Sequence, residues 1–84
     1  MADVPVLIVS LTTCGHCAEA KEFFRRRGVT PTVVEFDTIG VDLKRRIAAD
    51  MRSHKIRGFP FVMIRGEAVE GFDLEAYERL FSMN

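Results

Sequence analysis

The chain has little of what would carry it into a membrane, onto nucleic acid or into a disulfide-braced fold. Its longest apolar stretch runs from Val6 through Ile8 and Val9 to Leu11, with Ser10 inside it. A bilayer needs about 20 consecutive apolar residues, so a membrane span is not expected. Charge of one sign is also missing: 12 basic residues stand against 12 acidic ones, for a formal net charge of zero. The global field therefore favours neither nucleic acid nor an anionic membrane as partner. Cysteine is scarce, with two in the chain, too few for a disulfide framework. Met1-Ala2-Asp3 lacks the positive segment of a secretion signal, which makes the cytoplasm the expected location. In that reducing compartment a lone cysteine pair points to catalysis or metal binding rather than to a permanent brace. Repeats, low-complexity tracts and linkers are absent, and 84 residues suit one domain spanning 1–84, expected as a monomer.

What the chain does have is a pair of sulfurs three positions apart, Cys14-Gly15-His16-Cys17, where an apolar run ends and a helical pattern begins. Helical geometry would put the two Cα atoms roughly 5 Å apart, within reach of a disulfide. The pair can then open and close without refolding the chain, which is the property of a reversible two-electron switch. With 48% hydrophobic and 29% charged residues, the composition suits a globule with a modest core. Val4 to Leu11 reads as a buried strand and Thr32 to Phe36 as a second. The spacing predicts a helix over Cys14–Arg27, with Cys17, Ala18, Ala20 and Phe24 on one side and Gly28 ending it. A second helix is expected over Asp42–Ser53, with Leu43, Ile47 and Met51 at four-residue steps beside Ala48. Phe61–Ile64 and Ala68–Val69 read as a hairpin across Arg65-Gly66. Asp73 reads as the N-cap of a last helix that turns Leu74, Tyr77, Leu80 and Phe81 inward. The order βαβαββα gives an α/β fold, a four-stranded mixed sheet flanked by three helices.

A strand ending in Cys14-Gly15-His16-Cys17, then Phe59-Pro60 opening an apolar strand, then Gly71-Phe72-Asp73, resembles the thioredoxin superfamily in its short, dithiol, glutaredoxin-like form. The resemblance covers nearly the whole chain and implies thiol–disulfide exchange. Cys14, at the helix start where free N–H groups and the helix dipole favour a thiolate, is expected to attack; Cys17, one turn in, is expected to resolve the mixed disulfide. His16, when protonated, would further favour the reduced thiolate. Cys-Gly-His-Cys is also similar to the active sites of protein disulfide isomerases, which usually carry an aromatic residue where this chain has Thr13. The resemblance implies a cis Phe59–Pro60 bond facing the cysteines, with the backbone before it free to pair with a bound peptide or glutathione. Phe59 would either flank that groove or belong to the core.

The remaining expectations concern substrate and reductant. Lys44, Arg45, Arg46, Arg52, Lys55 and Arg57 form a basic cluster offset between 44 and 57 by Asp50 alone; Arg57 or Lys55 could capture a carboxylate of glutathione or of an acidic partner. Otherwise the cluster is a solvated face. His54 reads as a surface residue. Ile8 stands where thioredoxins carry a buried acid, and tryptophan is absent, both departures from a true thioredoxin. Ile56-Arg57-Gly58-Phe59-Pro60 is nearer the thioredoxin form than the Thr-Val-Pro of typical glutaredoxins. Glu70-Gly71-Phe72-Asp73-Leu74 retains half of the element that holds the γ-glutamyl end of glutathione, and is similar also to redoxins serving ribonucleotide reductase. The candidate substrate-binding residues are thus Thr13, His16, Arg57, Phe59, Pro60, Gly71, Phe72 and Asp73. Disulfide-containing proteins are the expected substrates and no bound cofactor is expected; the electron source is glutathione or a flavin-dependent thioredoxin reductase. The alternative is a metal module, with zinc or a glutathione-assisted iron–sulfur cluster on the same fold.

Overall fold

A computed structural model describes residues 4–82; Met1-Ala2-Asp3 and the last two positions of the expected domain lie outside the described residues. The elements follow the expected order: β1 Val6–Ser10, α1 Gly15–Arg26, β2 Thr32–Glu35, α2 Val41–Ser53, β3 Phe61–Ile64, β4 Glu67–Glu70 and α3 Leu74–Phe81. They build one four-stranded mixed sheet in the order β2-β1-β3-β4. β1 runs parallel to β2 with Ser10 opposite Glu35, and antiparallel to β3 with Val9 opposite Phe61. β3 in turn pairs antiparallel with β4, Phe61 opposite Glu70. The exits of β1, β2 and β4 and the entrance of β3 therefore share one end of the sheet, and the chemistry-bearing residues follow directly from those four points.

Alternation along the strands divides the interior in two. Val6, Ile8, Val62, Ile64 and Val69 face α1 and α3, where Ala20, Phe23, Phe24, Tyr77 and Leu80 complete a buried cluster. The aromatic rings there meet at centroid distances of 5.0 Å for Phe23–Phe24 and 5.4 Å for Phe24–Tyr77, the spacing at which aromatic pairs attract beyond their buried area. Val9, Phe61, Met51 and Ile56 form the second cluster on the other face, with Leu7, Val34, Phe36, Ile47, Phe59 and Met63 around them.

Several boundaries and inward positions differ from the sequence reading. Val4 and Leu11 lie outside β1 and Phe36 leaves β2 for a 3-10 turn, Phe36–Thr38, whereas β4 runs the full Glu67–Glu70. Apolar character continues past the paired positions at these ends, so hydropathy overruns the ladder. α1 opens at Gly15, because Cys14 has the extended backbone of an N-cap. Within α1, Phe23 is buried and Ala18 exposed: the inward stripe runs Cys17, Ala20, Phe24 at steps of three and four, and Ala18 lies one residue, or 100°, off it. Leu43 is 42% exposed and Leu74 48%; both are in first turns, and burial along α2 grades from exposed Leu43 through half-buried Ile47 to buried Met51. The hairpin turn has positive φ at both Arg65 (53°) and Gly66 (85°), as a two-residue turn matched to strand twist requires. Arg65 tolerates this because its amide donates to Pro5 O at 3.1 Å and its Nε to Leu80 O at 3.2 Å.

Candidate active site

Cys14 caps α1 with its own sulfur: the Cys17 amide donates to Cys14 Sγ at 3.3 Å. A sulfur at an N-cap receives the N–H groups that a helix start leaves unpaired, and a thiolate accepts such bonds better than a thiol. Cys14 is half-buried and Cys17 wholly buried, and the two are free thiols. Burial, and then its hydrogen bond with Cys14, pushes the Cys17 thiol up to about 11. One sulfur is thus presented to solvent and the other is kept protonated one turn below it.

The loop carrying Cys14 is fastened to the end of β2. The Thr12 hydroxyl donates to Asp37 Oδ2 at 2.6 Å and the Thr12 amide to Asp37 Oδ1 at 3.2 Å. The Thr12 hydroxyl bond, chiefly, holds the Asp37 carboxyl below its ordinary range. Thr13 follows on this loop as an exposed residue.

Across the same end of the sheet, the Phe59–Pro60 bond is cis and Pro60 is fully buried. Pro60 O accepts from the Gly71 amide at 2.8 Å, which joins two segments that the sequence suggested separately. Gly71 has φ +73°, a conformation that favours glycine. Its carbonyl accepts from the hydroxyl of buried Tyr77, and Phe72 packs edge-on against the same ring at 5.6 Å. Burial, then the nearby Asp73 and Cys17, raises the Tyr77 phenol above its ordinary value. Tyr77 thereby ties the Gly71 loop to α3. Helical spacing alone places it only in the core.

Phe59 is half-buried and meets the Phe36 ring at 5.2 Å in a tilted contact, so it belongs to the second core cluster while flanking Pro60. Asp73 is exposed and caps α3, accepting from the Ala76 amide at 3.1 Å; one of its oxygens is thereby occupied. His16 is turned along the helix to Glu19, with Nδ1 3.1 Å from the carboxylate and the ring 75% exposed. Any positive charge on His16 is offset by that neighbour before it acts on Cys14. Arg57, Lys55 and Arg52 line one hollow of about 490 Å3 with Ile56 as its apolar wall. His54 caps the end of α2 and is exposed.

The residue that sequence reasoning missed in this region is Glu70. One of its oxygens, Oε2, accepts from the amides of both Arg57 and Gly58 at 3.0 Å each. It thereby fixes the backbone immediately before Phe59-Pro60 from the end of β4. A glutamate closing an edge strand carries no sequence signal for that role, since its partners lie 12 and 13 residues away.

A second hollow, of about 470 Å3, opens between the outward side of α1 and the Phe72–Leu74 segment, with Glu19, Glu22 and Arg26 on its wall. Closed zinc sites take four ligands, whereas the chain has two cysteines and His16 faces Glu19. Among the described residues no three His, Cys, Asp or Glu side chains converge on a common point.

Comparison with known proteins agrees with this geometry. Among solved structures, a glutaredoxin from Archaeoglobus fulgidus superimposes with a TM-score of 0.83 at 26% identity, covering 95% of this chain and 88% of that one. A buckwheat glutaredoxin–glutathione complex follows with a TM-score of 0.75 at 28% identity, over 90% of this chain and 69% of the other. Among curated proteins, a chloroplastic glutaredoxin of Arabidopsis thaliana is 51% identical over 35 residues, 42% of this chain. That alignment takes in only 20% of the plant protein's length. The family model described as Glutaredoxin matches residues 6–69, which hold the sheet up to Val69, the cysteine pair and the cis proline together, and the chain belongs to the glutaredoxin family.

Proposed function

We propose that the chain is a dithiol thiol–disulfide oxidoreductase that reduces protein or mixed disulfides. The observation that carries this reading is the division between the sulfurs: Cys14 is half-exposed and hydrogen-bonded at the helix start, Cys17 sealed beneath it. In the first step the Cys14 thiolate attacks one sulfur of a substrate disulfide, the S–S bond breaks, and the other sulfur leaves as a thiolate. In the second, the Cys17 thiol gives up its proton and attacks the Cys14 sulfur; the Cys14–Cys17 bond forms and the second substrate sulfur leaves and takes up a proton. The protein pair loses two electrons and the substrate gains them.

Glutaredoxins use glutathione as reductant, and glutathione is the first candidate for returning this pair to the dithiol. The fit is partial. Arg57, Lys55 and Arg52 supply cations for a carboxylate, and the Phe59 backbone before the cis proline supplies a pairing edge. The γ-glutamyl end, however, meets Asp73, already engaged as a cap, and the apolar Leu74. Leaving a charged ligand group without its partner costs about 1.5 to 3 kcal/mol, or roughly 10- to 150-fold in affinity. Protein disulfides are therefore the favoured substrates, with glutathione a weakly held electron donor.

Cys17→Ser should accumulate mixed disulfides with substrate thiols, and Cys14→Ser should not. Trapping by Cys14→Ser would reverse the roles, and trapping by neither would refute the mechanism. Turnover of one disulfide substrate with glutathione and its reductase, set against thioredoxin reductase, identifies the donor.

A further inference from the structure

Tyr77 is wholly buried on α3, in surroundings that need only its ring. Phe23 and Phe24 of α1 lie 5.4 Å from that ring and Phe72 meets it edge-on at 5.6 Å, contacts that a phenylalanine would make as well. The two side chains differ by one oxygen, and here that oxygen donates its hydrogen to Gly71 O. A buried hydroxyl without a partner is destabilising, so the bond to the Gly71 loop is what suits tyrosine to this position. Burial, above all, raises the phenol above its ordinary value, and the hydroxyl therefore keeps its hydrogen and remains a donor at neutral pH.

Gly71 is thus held from two sides. Its amide donates to Pro60 O at 2.8 Å, and its carbonyl is drawn toward α3 by Tyr77. The peptide unit between Gly71 and Phe72 is planar and trans, so its N–H points opposite to its C=O. Fixing the Gly71 carbonyl on Tyr77 therefore turns the Phe72 N–H away from the hydroxyl, and no backbone carbonyl among the described residues accepts from that N–H. We propose that Tyr77 is a positioning residue for substrate binding: its hydroxyl holds the Gly71 carbonyl inward, so that the Phe72 N–H stands beside the Pro60 groove as a donor to an acceptor oxygen flanking the substrate disulfide. The inference rests on the dithiol reading above. The oxygen belongs to a peptide carbonyl of a protein substrate or to a carboxylate of glutathione in a mixed disulfide, and the N–H recognises both by the same chemistry. Tyr77 touches neither the substrate nor the reacting bond.

Tyr77→Phe removes the oxygen and keeps the ring. The rate constant for the first attack by Cys14 is measured with a small aromatic disulfide too short to fill the groove, with a peptide disulfide and with a glutathione mixed disulfide. An ordinary hydrogen bond corresponds to about 2- to 10-fold in an equilibrium. Tyr77→Phe should slow attack on the peptide disulfide, the glutathione disulfide or both by about that factor, with the aromatic disulfide unaffected. Loss with the peptide alone assigns the oxygen to the protein chain, and loss with the glutathione disulfide alone assigns it to glutathione. Hydrogen exchange of the Gly71 amide should quicken while the paired amides of β1 and β3 keep their protection. Equal slowing with all three disulfides overturns the inference, because the hydroxyl then acts on the sulfurs or on the whole fold. Unchanged rates with all three, or unchanged exchange at Gly71, overturn it as well. Wild-type protein that attacks none of the three overturns the dithiol reading, and this inference with it.

Discussion

Replacing Glu70 by alanine isolates what the end of β4 does for the substrate groove. The carboxylate receives two backbone amides, Arg57 and Gly58, at 3.0 Å each, and both precede the cis Phe59–Pro60 bond. A hydrogen bond to a charged group is worth about 1.5 to 3 kcal/mol when sequestered. Glu70 is exposed, so water competes for the same amides, and a fair figure is about 0.5 to 1 kcal/mol per bond. The pair together contributes about 1 to 2 kcal/mol to holding this backbone in place, which corresponds to roughly 5- to 30-fold in a local opening equilibrium. In Glu70→Ala the amides of Arg57 and Gly58 should exchange with solvent faster by that factor, while the paired amides of β1 and β3 keep their protection. Glu70→Gln, which retains an oxygen acceptor but not the charge, should fall between. The apparent KM for a protein disulfide should rise with little change in kcat, because the pairing edge before Pro60 loosens while the sulfurs stay as they are. Unchanged exchange at Arg57 and Gly58 would refute the reasoning, and so would a uniform loss of protection across the sheet, which would make Glu70 a determinant of global stability.

Two further predictions concern charge at the same end of the sheet. Asp73→Ala removes the cap of α3 and should cost about 1 kcal/mol, lowering the thermal midpoint by roughly 4 to 8 °C; Asp73→Ser keeps a capping oxygen and should recover most of this. Glutathione-dependent turnover that stays depressed in Asp73→Ser despite recovered stability would assign Asp73 a direct ligand role that its present hydrogen bond argues against. The Glu35 carboxyl is held below its ordinary range chiefly by the Lys21 ammonium and secondarily by the Ser10 hydroxyl. A carboxyl depressed on folding stabilises above its unfolded value, about 4.3, and loses that contribution as pH falls through the lower folded value. Urea midpoints of wild type and Glu35→Gln should therefore differ at neutral pH and converge as the solution is acidified below about pH 4; parallel curves down to low pH would remove the linkage.

The parts of this molecule that sequence reveals are those whose signals are local. A β-branched run marks β1, four-residue steps mark the inner side of α2, and Asp73 before Leu74 marks the start of α3. Cys14 and Cys17 are legible for the same reason, since three residues and one helix terminus define their relation. Structure departs from periodicity where the outcome depends on what lies opposite. Leu43 and Leu74 have apolar side chains at inward spacing, yet each occupies a first turn that its surroundings leave uncovered. Phe23 carries no signal of its own because Ala18 and Phe24 already satisfy a plausible stripe, and only the ring of Tyr77 at 5.4 Å shows that α1 turns a wider side to α3.

The supports of the site were illegible for a stricter reason. Thr12 finds Asp37 25 residues on, Ser10 finds Glu35 at the same separation, and Lys21 reaches Glu35 across 14. None of these pairs has a spacing that hydropathy or helical periodicity can read. They exist because parallel pairing sets Ser10 against Glu35, which brings the exits of β1 and β2 side by side just where the Cys14 loop leaves the sheet. That register has a chemical consequence. With Ile8 filling the core on the face of β1 that meets α1, a charged group there would lie unpaired in an apolar cluster and cost several kcal/mol. Two residues further along the same face, Ser10 stands at the sheet's end, where Glu35 and Lys21 retain 30% and 35% exposure and a charge is tolerable. The register of β1 and β2 thus brings the Lys21–Glu35 pair to the end of the sheet from which the Cys14 loop departs.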